Sequence, residues 1–124
     1  MAQITRCMDT YALVEIAEGN PRFAPYMKEE FVITDLTLAE FYGVLLRDKN
    51  EDTADYWYQI FEPYSVPVEI LLLIEAVKFR HEHRKADISF FDAVGYIFSL
   101  KKGFVFVTGD KEFEKFSNVE FRKK

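Results

Sequence analysis

Four carboxylates in this chain stand where residue type and spacing could do chemistry. Asp9 directly follows a partly apolar stretch at 4–8 that reads as a strand. Glu40 lies in the first helical turn expected after the β-branched strand at 31–34. Asp110 follows the apolar strand at 104–107, and Asp92 lies in the first turn of the helix leading into that strand. In parallel α/β sheets, ligands bind outside the carboxyl ends of the strands. Carboxylates gathered there repel one another and take up protons unless a cation is present. Hard oxygen donors with no accompanying cysteine or histidine pair suit Mg²⁺ or Mn²⁺ and not zinc. A clamp of that kind serves phosphodiester hydrolysis, with ions about 3.5–4 Å apart where two are held. Each acid also fits a plain helix cap. Independent caps should scatter over both sheet edges, yet pattern alone leaves both readings open.

The elements that must position these acids alternate between strand and helix. After the strand at 4–8, good helix formers at 11–17 run to the stop at Gly19-Asn20-Pro21. Pro25 opens a short helix to residue 29. Thr37-Leu38-Ala39-Glu40 matches a capping box, and Leu38, Phe41, Val44 and Leu45 follow at helical spacing. A polar break at 50–52 precedes a helix over 54–61. A short strand at 65–68 carries Pro67, which suits an edge. A long helix over 69–84 follows. Ser89-Phe90-Phe91-Asp92 reads as a second capping box, whose helix ends near Lys101 before Gly103. Asp110 opens another short helix, and residues 119–121 form a last strand. The alternation predicts an α/β three-layer sandwich, a parallel sheet flanked by helices. No linker or repeat divides it, so residues 1–124 read as one domain.

Composition narrows the function classes. The 124 residues are 49% hydrophobic and 30% charged, which fits a globular chain with a real core. The net charge of -5 speaks against a protein that coats nucleic acid. The single Cys7 excludes an intramolecular disulfide and a zinc site of the finger type, and inside a predicted strand it reads as a small buried hydrophobe. Residues 1–8 show no secretory pattern, and the longest apolar run, at 70–74, is too short for a membrane span. A cytoplasmic protein that does not enter membranes is expected.

Other groups carry less. His81 and His83 lie two apart and would not share a helix face, so they make a poor metal pair. Arg80, Arg84 and Lys85 read first as a solvated helix end, with phosphate contact as the second possibility. Arg122-Lys123-Lys124 reads as a solvated tail that adds weak attraction to a nucleic acid. Lys111, beside Asp110, is the basic residue favoured for substrate phosphate. Phe31, Phe41, Phe104, Phe106 and Phe113 fit the core. Tyr56-Trp57-Tyr58, with Phe61 and Tyr64, is richer than one helix face needs. It predicts either a homodimer or partner groove, or a packed helix with one exposed edge.

Asp9-Thr10-Tyr11-Ala12-Leu13 resembles the opening motif of PIN-domain proteins. Thr37-Leu38-Ala39-Glu40-Phe41, Ser89-Phe90-Phe91-Asp92-Ala93 and Thr108-Gly109-Asp110-Lys111-Glu112-Phe113 resemble the three motifs that follow, in the family's order. The chain's small size looks most like the VapC-type toxins of prokaryotic toxin–antitoxin pairs. The resemblance implies about five parallel strands and a Mg²⁺- or Mn²⁺-dependent ribonuclease. It implies Asp9, Glu40, Asp92 and Asp110 as the metal-binding, catalytic acids. It further implies Thr108 as a hydroxyl placed to orient the attacking water, with Thr10 and Ser89 as weaker supporting residues. It also implies an RNA substrate and a small antitoxin partner. Tyr11 departs from the family, which often has a small polar residue there, and this could alter substrate access. Asp87 is an extra carboxylate near the third motif, read as surface or cap with a minor metal role held open.

Three functions compete on these grounds: a toxin-type endoribonuclease, a non-catalytic PIN-fold module holding a cation or basic segment, and a phosphoacceptor receiver domain. A receiver needs an acceptor Asp at the end of a middle strand, where this chain has Val66-Pro67-Val68-Glu69. Two bound Mg²⁺ would take the formal charge from -5 to about -1. The acidity therefore does not exclude a metal-loaded nuclease.

Overall fold

The computed structural model describes residues 4–123. Met1 to Gln3 and Lys124 lie outside them, so the reading of the leader and the last residue of the basic tail falls partly beyond the described chain. Five strands form one sheet: β1 (Arg6–Met8), β2 (Phe31–Thr34), β3 (Ser65–Val66), β4 (Val105–Thr108) and β5 (Val119–Phe121). Their order is β3-β2-β1-β4-β5 and every neighbouring pair is parallel. Five α-helices flank the sheet: α1 (Thr10–Ala17), α2 (Asp35–Asp48), α3 (Glu51–Phe61), α4 (Ile70–Glu82) and α5 (Phe90–Lys102). The receiver-type order, 2-1-3-4-5, would put the third strand at the centre. Here β3 is an edge strand and ends at Val66, before Pro67.

The pleat explains why the sheet is covered on both sides. Met8, Phe31, Ile33 and Val107 face one buried cluster, with Leu13, Phe41 and Phe61 from α1, α2 and α3. Cys7 and Phe106, the alternating neighbours, face a second cluster with Val94, Tyr96 and Phe98 of α5. Period-2 alternation with apolar residues on both faces is the signature of a buried parallel strand. The α5 layer sits very close: a Cβ on Gly95 would come 2.8 Å from the Phe106 ring. Gly103 ends α5 at φ +72, a left-handed conformation that glycine takes without steric cost.

Several boundaries differ from those read from sequence. The first strand begins at Arg6, because Ile4 is exposed beyond the sheet. The cap of α2 is Thr34, not Thr37: the Thr34 hydroxyl accepts from the Thr37 N–H at 3.1 Å. Thr37 is therefore already helical and buried, and Glu40 lies in the second turn. Helix α3 starts at Glu51 because Asn50 caps it through the Thr53 N–H, 2.8 Å. The strand predicted at 65–68 keeps only Ser65 and Val66, since Pro67 has no N–H to extend the ladder.

The predicted aromatic surface divides. Trp57 stacks on the fully buried Phe61 at 5.7 Å and joins the core margin. Tyr64 stacks on Phe31 at 4.2 Å. Tyr56 and Tyr58 are the members left exposed. Phe31, Phe41, Phe106 and Phe113 are buried as expected, and Phe104 is half-buried at the margin.

Candidate functional site

The sheet order places β1 at the centre, between β2 and β4, so the residues after all three strands meet at one edge. Asp9 leaves β1 and caps α1, its Oδ1 accepting the Ala12 N–H at 2.7 Å. Its Oδ2 accepts the Gly109 N–H at 3.4 Å, which ties it to the segment after β4. Thr10, the next residue, donates its hydroxyl to Glu40 Oε1 on α2. Thr108 closes β4, fully buried, and its Oγ1 accepts the Asp110 N–H at 3.0 Å. Asp110 then accepts the Glu112 N–H at 2.9 Å and starts the short turn Lys111–Phe113. Ser89 caps α5 by accepting the Asp92 N–H at 3.1 Å. Asp9 and Asp110 are thus cap and candidate site residue at once, because a helix N-terminus offers both an N–H and partial positive charge to a carboxylate, whereas Glu40 and Asp92 lie inside α2 and α5.

Electrostatics shows that the four acids share a neighbourhood. Burial raises Asp92 first, and the charges of Asp9, Glu40 and Asp110 raise it further, to about 8, against the pull of Ser89. Burial likewise raises Asp9 to about 6, opposed by hydrogen bonds from Ala12, Thr108 and Gly109 and reinforced by Asp110. Among the described residues none of the four forms an ion pair with Lys or Arg. Nor are any three acids or histidines among the described residues already drawn tightly enough together to enclose an ion. In chemical type the four side chains are all carboxylate oxygen with no lysine or arginine paired to them, which is the kind of donor a hard divalent metal takes.

Residues 6–119 match the model of the PIN domain. The chain belongs to the PIN domain family. This PIN domain is similar to solved structures that share its fold. One is VapC20 of Mycobacterium tuberculosis, a sarcin–ricin loop cleaving toxin, at 19% identity and TM-score 0.76, covering 92% of this chain and 98% of that one. Another is VapBC2 of Rickettsia felis bound to promoter DNA, at 15% identity and TM-score 0.78, covering 97% and 100%. A third is DNA-bound VapBC of Salmonella typhimurium, at 16% and 0.74, covering 96% and 97%. No curated protein matches the chain.

The remaining candidates fall around this PIN domain in different ways. Asp87 is exposed beside Arg80, His81 and Arg84. His83 packs against Phe79 and Phe116, at 4.6 and 5.0 Å. Arg80 donates to the Ile88 carbonyl at 3.0 Å and Arg84 to that of His81 at 2.9 Å, which holds the loop before Ser89. Lys111 is exposed and makes no ion pair among the described residues. Of the tail expected to be solvated, Arg122 is anchored, its N–H donating to Thr108 O at 2.9 Å and its Nε to the Tyr26 hydroxyl at 2.8 Å, while Lys123 is exposed. Sequence pattern had no signal for that anchoring, since it depends on β5 pairing parallel with β4. Among the described residues no helix is long and apolar enough to cross a membrane.

Proposed function

We propose that this chain is a divalent-metal-dependent endoribonuclease, the toxin of a toxin–antitoxin pair. The observation that carries the reading is the shared field of Asp9, Glu40, Asp92 and Asp110. They are contributed by four separate segments, yet they act together on the Asp92 carboxyl. These four would hold Mg²⁺ or Mn²⁺, and the metal would supply positive charge for activating water and stabilising the leaving oxygen of an RNA phosphodiester. The carboxylates are not nucleophiles and form no covalent bond to RNA. The Thr10 hydroxyl keeps Glu40 turned toward the Asp9 side of the pocket. Thr108 and the Gly109 N–H hold Asp9 in its ionised form. Ser89 pulls Asp92 the same way, against the burial and neighbouring charges that raise it.

The fold neighbours support the toxin reading, since VapC20 cleaves the sarcin–ricin loop and others are VapBC complexes. An antitoxin fits the acid-rimmed groove between α2 and α3, where Tyr42 and Tyr58 lie among Asp35, Asp55 and Glu62. A homodimer fits α4 better than the tyrosines of α3. Ile70, Leu71, Ile74 and Val77 form an exposed stripe on that helix, with Leu71 70% exposed. Contiguous apolar surface of that kind is uncommon on monomers.

The test is cleavage of total RNA in Mg²⁺ or Mn²⁺, with EDTA and Asp9→Asn as controls and metal binding followed by calorimetry. Loss of cleavage in both controls is expected, with the fold of Asp9→Asn intact. Cleavage by Asp9→Asn at the parent rate would falsify the site. Metal binding without cleavage would instead favour the non-catalytic binding module.

A further inference from the structure

Tyr11 and Lys123 were set apart in sequence, one as a departure from the family motif and the other as tail, and the fold brings them together. Tyr11 is the second residue of α1, two positions after Asp9. Its ring seats on Gly109 so closely that a Cβ there would lie 2.3 Å from the Tyr11 ring. Phe23 supports the ring edge-on at 6.0 Å. The Lys123 ammonium stands 5.6 Å from the centre of the same ring. One residue earlier, the backbone bond from Arg122 to Thr108 fixes where the chain leaves β5. The lysine is therefore held beside the segment that carries Thr108 and Asp110. Among the described residues its ammonium has no carboxylate partner.

An RNA strand entering a pocket of four acids meets like charge, and a cation at the lip offsets that repulsion. A lysine on a flexible stem is a weak anchor unless its head is restrained, and an aromatic face does this at an exposed site. We propose that Lys123, steered by Tyr11, binds a phosphate of the RNA strand lying in the acid site. Tyr11 is a positioning residue, and Gly109 is required because any side chain there would displace its ring. This rests on the nuclease reading, and it assigns to Lys123 the role that adjacency in sequence assigned to Lys111.

The experiment uses a fluorescein-labelled single-stranded RNA. Binding is followed by anisotropy across a salt series in Ca²⁺, and cleavage by steady-state kinetics in Mn²⁺. Lys123→Gln should raise Kd and KM about fivefold, the worth of one exposed charge-assisted contact. It should leave kcat within about twofold and reduce the salt slope by about 0.7, the value for one phosphate on a single strand. Lys123→Arg should restore all three. Tyr11→Leu should behave like Lys123→Gln. An unchanged salt slope and KM in Lys123→Gln would overturn the assignment. A normal Tyr11→Leu beside a defective Lys123→Gln would overturn the steering role. If the parent binds RNA without cutting it and the slope still falls in Lys123→Gln, the phosphate contact stands and the nuclease reading fails. If the parent neither binds nor cuts, both fail.

Discussion

Raising the pH should weaken this protein when no metal is present. Burial and the charges of Asp9, Glu40 and Asp110 push Asp92 up to about 8, and burial pushes Asp9 up to about 6, from an ordinary 3.8. The folded state therefore holds more protons than the unfolded chain between about pH 4 and about pH 8, and stability falls as pH rises through that window. The penalty is absent below the window and complete above it. The two acids occupy one pocket, so their protons leave in two steps that belong to the pair. At about 1.4 kcal/mol per pH unit, Asp92 alone sets a ceiling of about 6 kcal/mol. Rotation of the carboxylates toward solvent and entry of water lower this, and about 2 kcal/mol is the expected loss from about pH 5 to about pH 8.5. Urea denaturation in EDTA across that range measures it. Asp92→Asn removes the crowded charge, so it should flatten the profile and exceed the parent by about 2 kcal/mol at the alkaline end. Mn²⁺ should abolish the parent's slope and do little for Asp92→Asn. A parent profile in EDTA that is flat or rising, or one unchanged by Asp92→Asn, refutes the crowding argument.

Three further outcomes follow from packing. Gly95→Ala should lower stability by about 1–3 kcal/mol, because its Cβ would meet the buried Phe106 ring at 2.8 Å; the urea midpoint reads this. Cys7 should resist alkylation in the folded protein and react after denaturation, since burial pushes its thiol up to about 12 and the side chain is fully enclosed; rapid labelling of the native chain would contradict the burial. Leu71→Glu should shift the protein to monomer in sedimentation without changing its circular dichroism, because the side chain is 70% exposed on the α4 stripe. A parent already monomeric at high micromolar concentration would remove the dimer.

Much of the fold was legible because its signals are local. Ser89 and Gly103 mark the two ends of α5 through one hydrogen bond and one left-handed residue. The alternating fates of Cys7 and Met8, or of Phe106 and Val107, follow from the two-residue repeat of a strand. The Thr37 reading failed for an equally local reason. Thr34 and Thr37 are the same residue type, each three positions before a hydroxyl or an acid, and the end of β2 makes Thr34 the cap. Trp57 was ambiguous because an aromatic on a helix looks the same whether it faces a partner or Phe61.

The sequence by itself determined the acid types, the order of the motifs and the alternation of strands and helices, since these depend on side-chain chemistry and short-range geometry. It also determined that the acidity could not serve a nucleic-acid coat. Only the tertiary structure decided that the four acids share one field, because their segments are brought together by sheet order and not by chain distance. It likewise decided that Arg122 and Lys123 lie beside the segment that follows β4. Arg122 bonds to Thr108, and Lys123 lies over Tyr11, only because β5 docks parallel beside β4. Parallel pairing is a long-range contact, and no window of residues along the chain contains it.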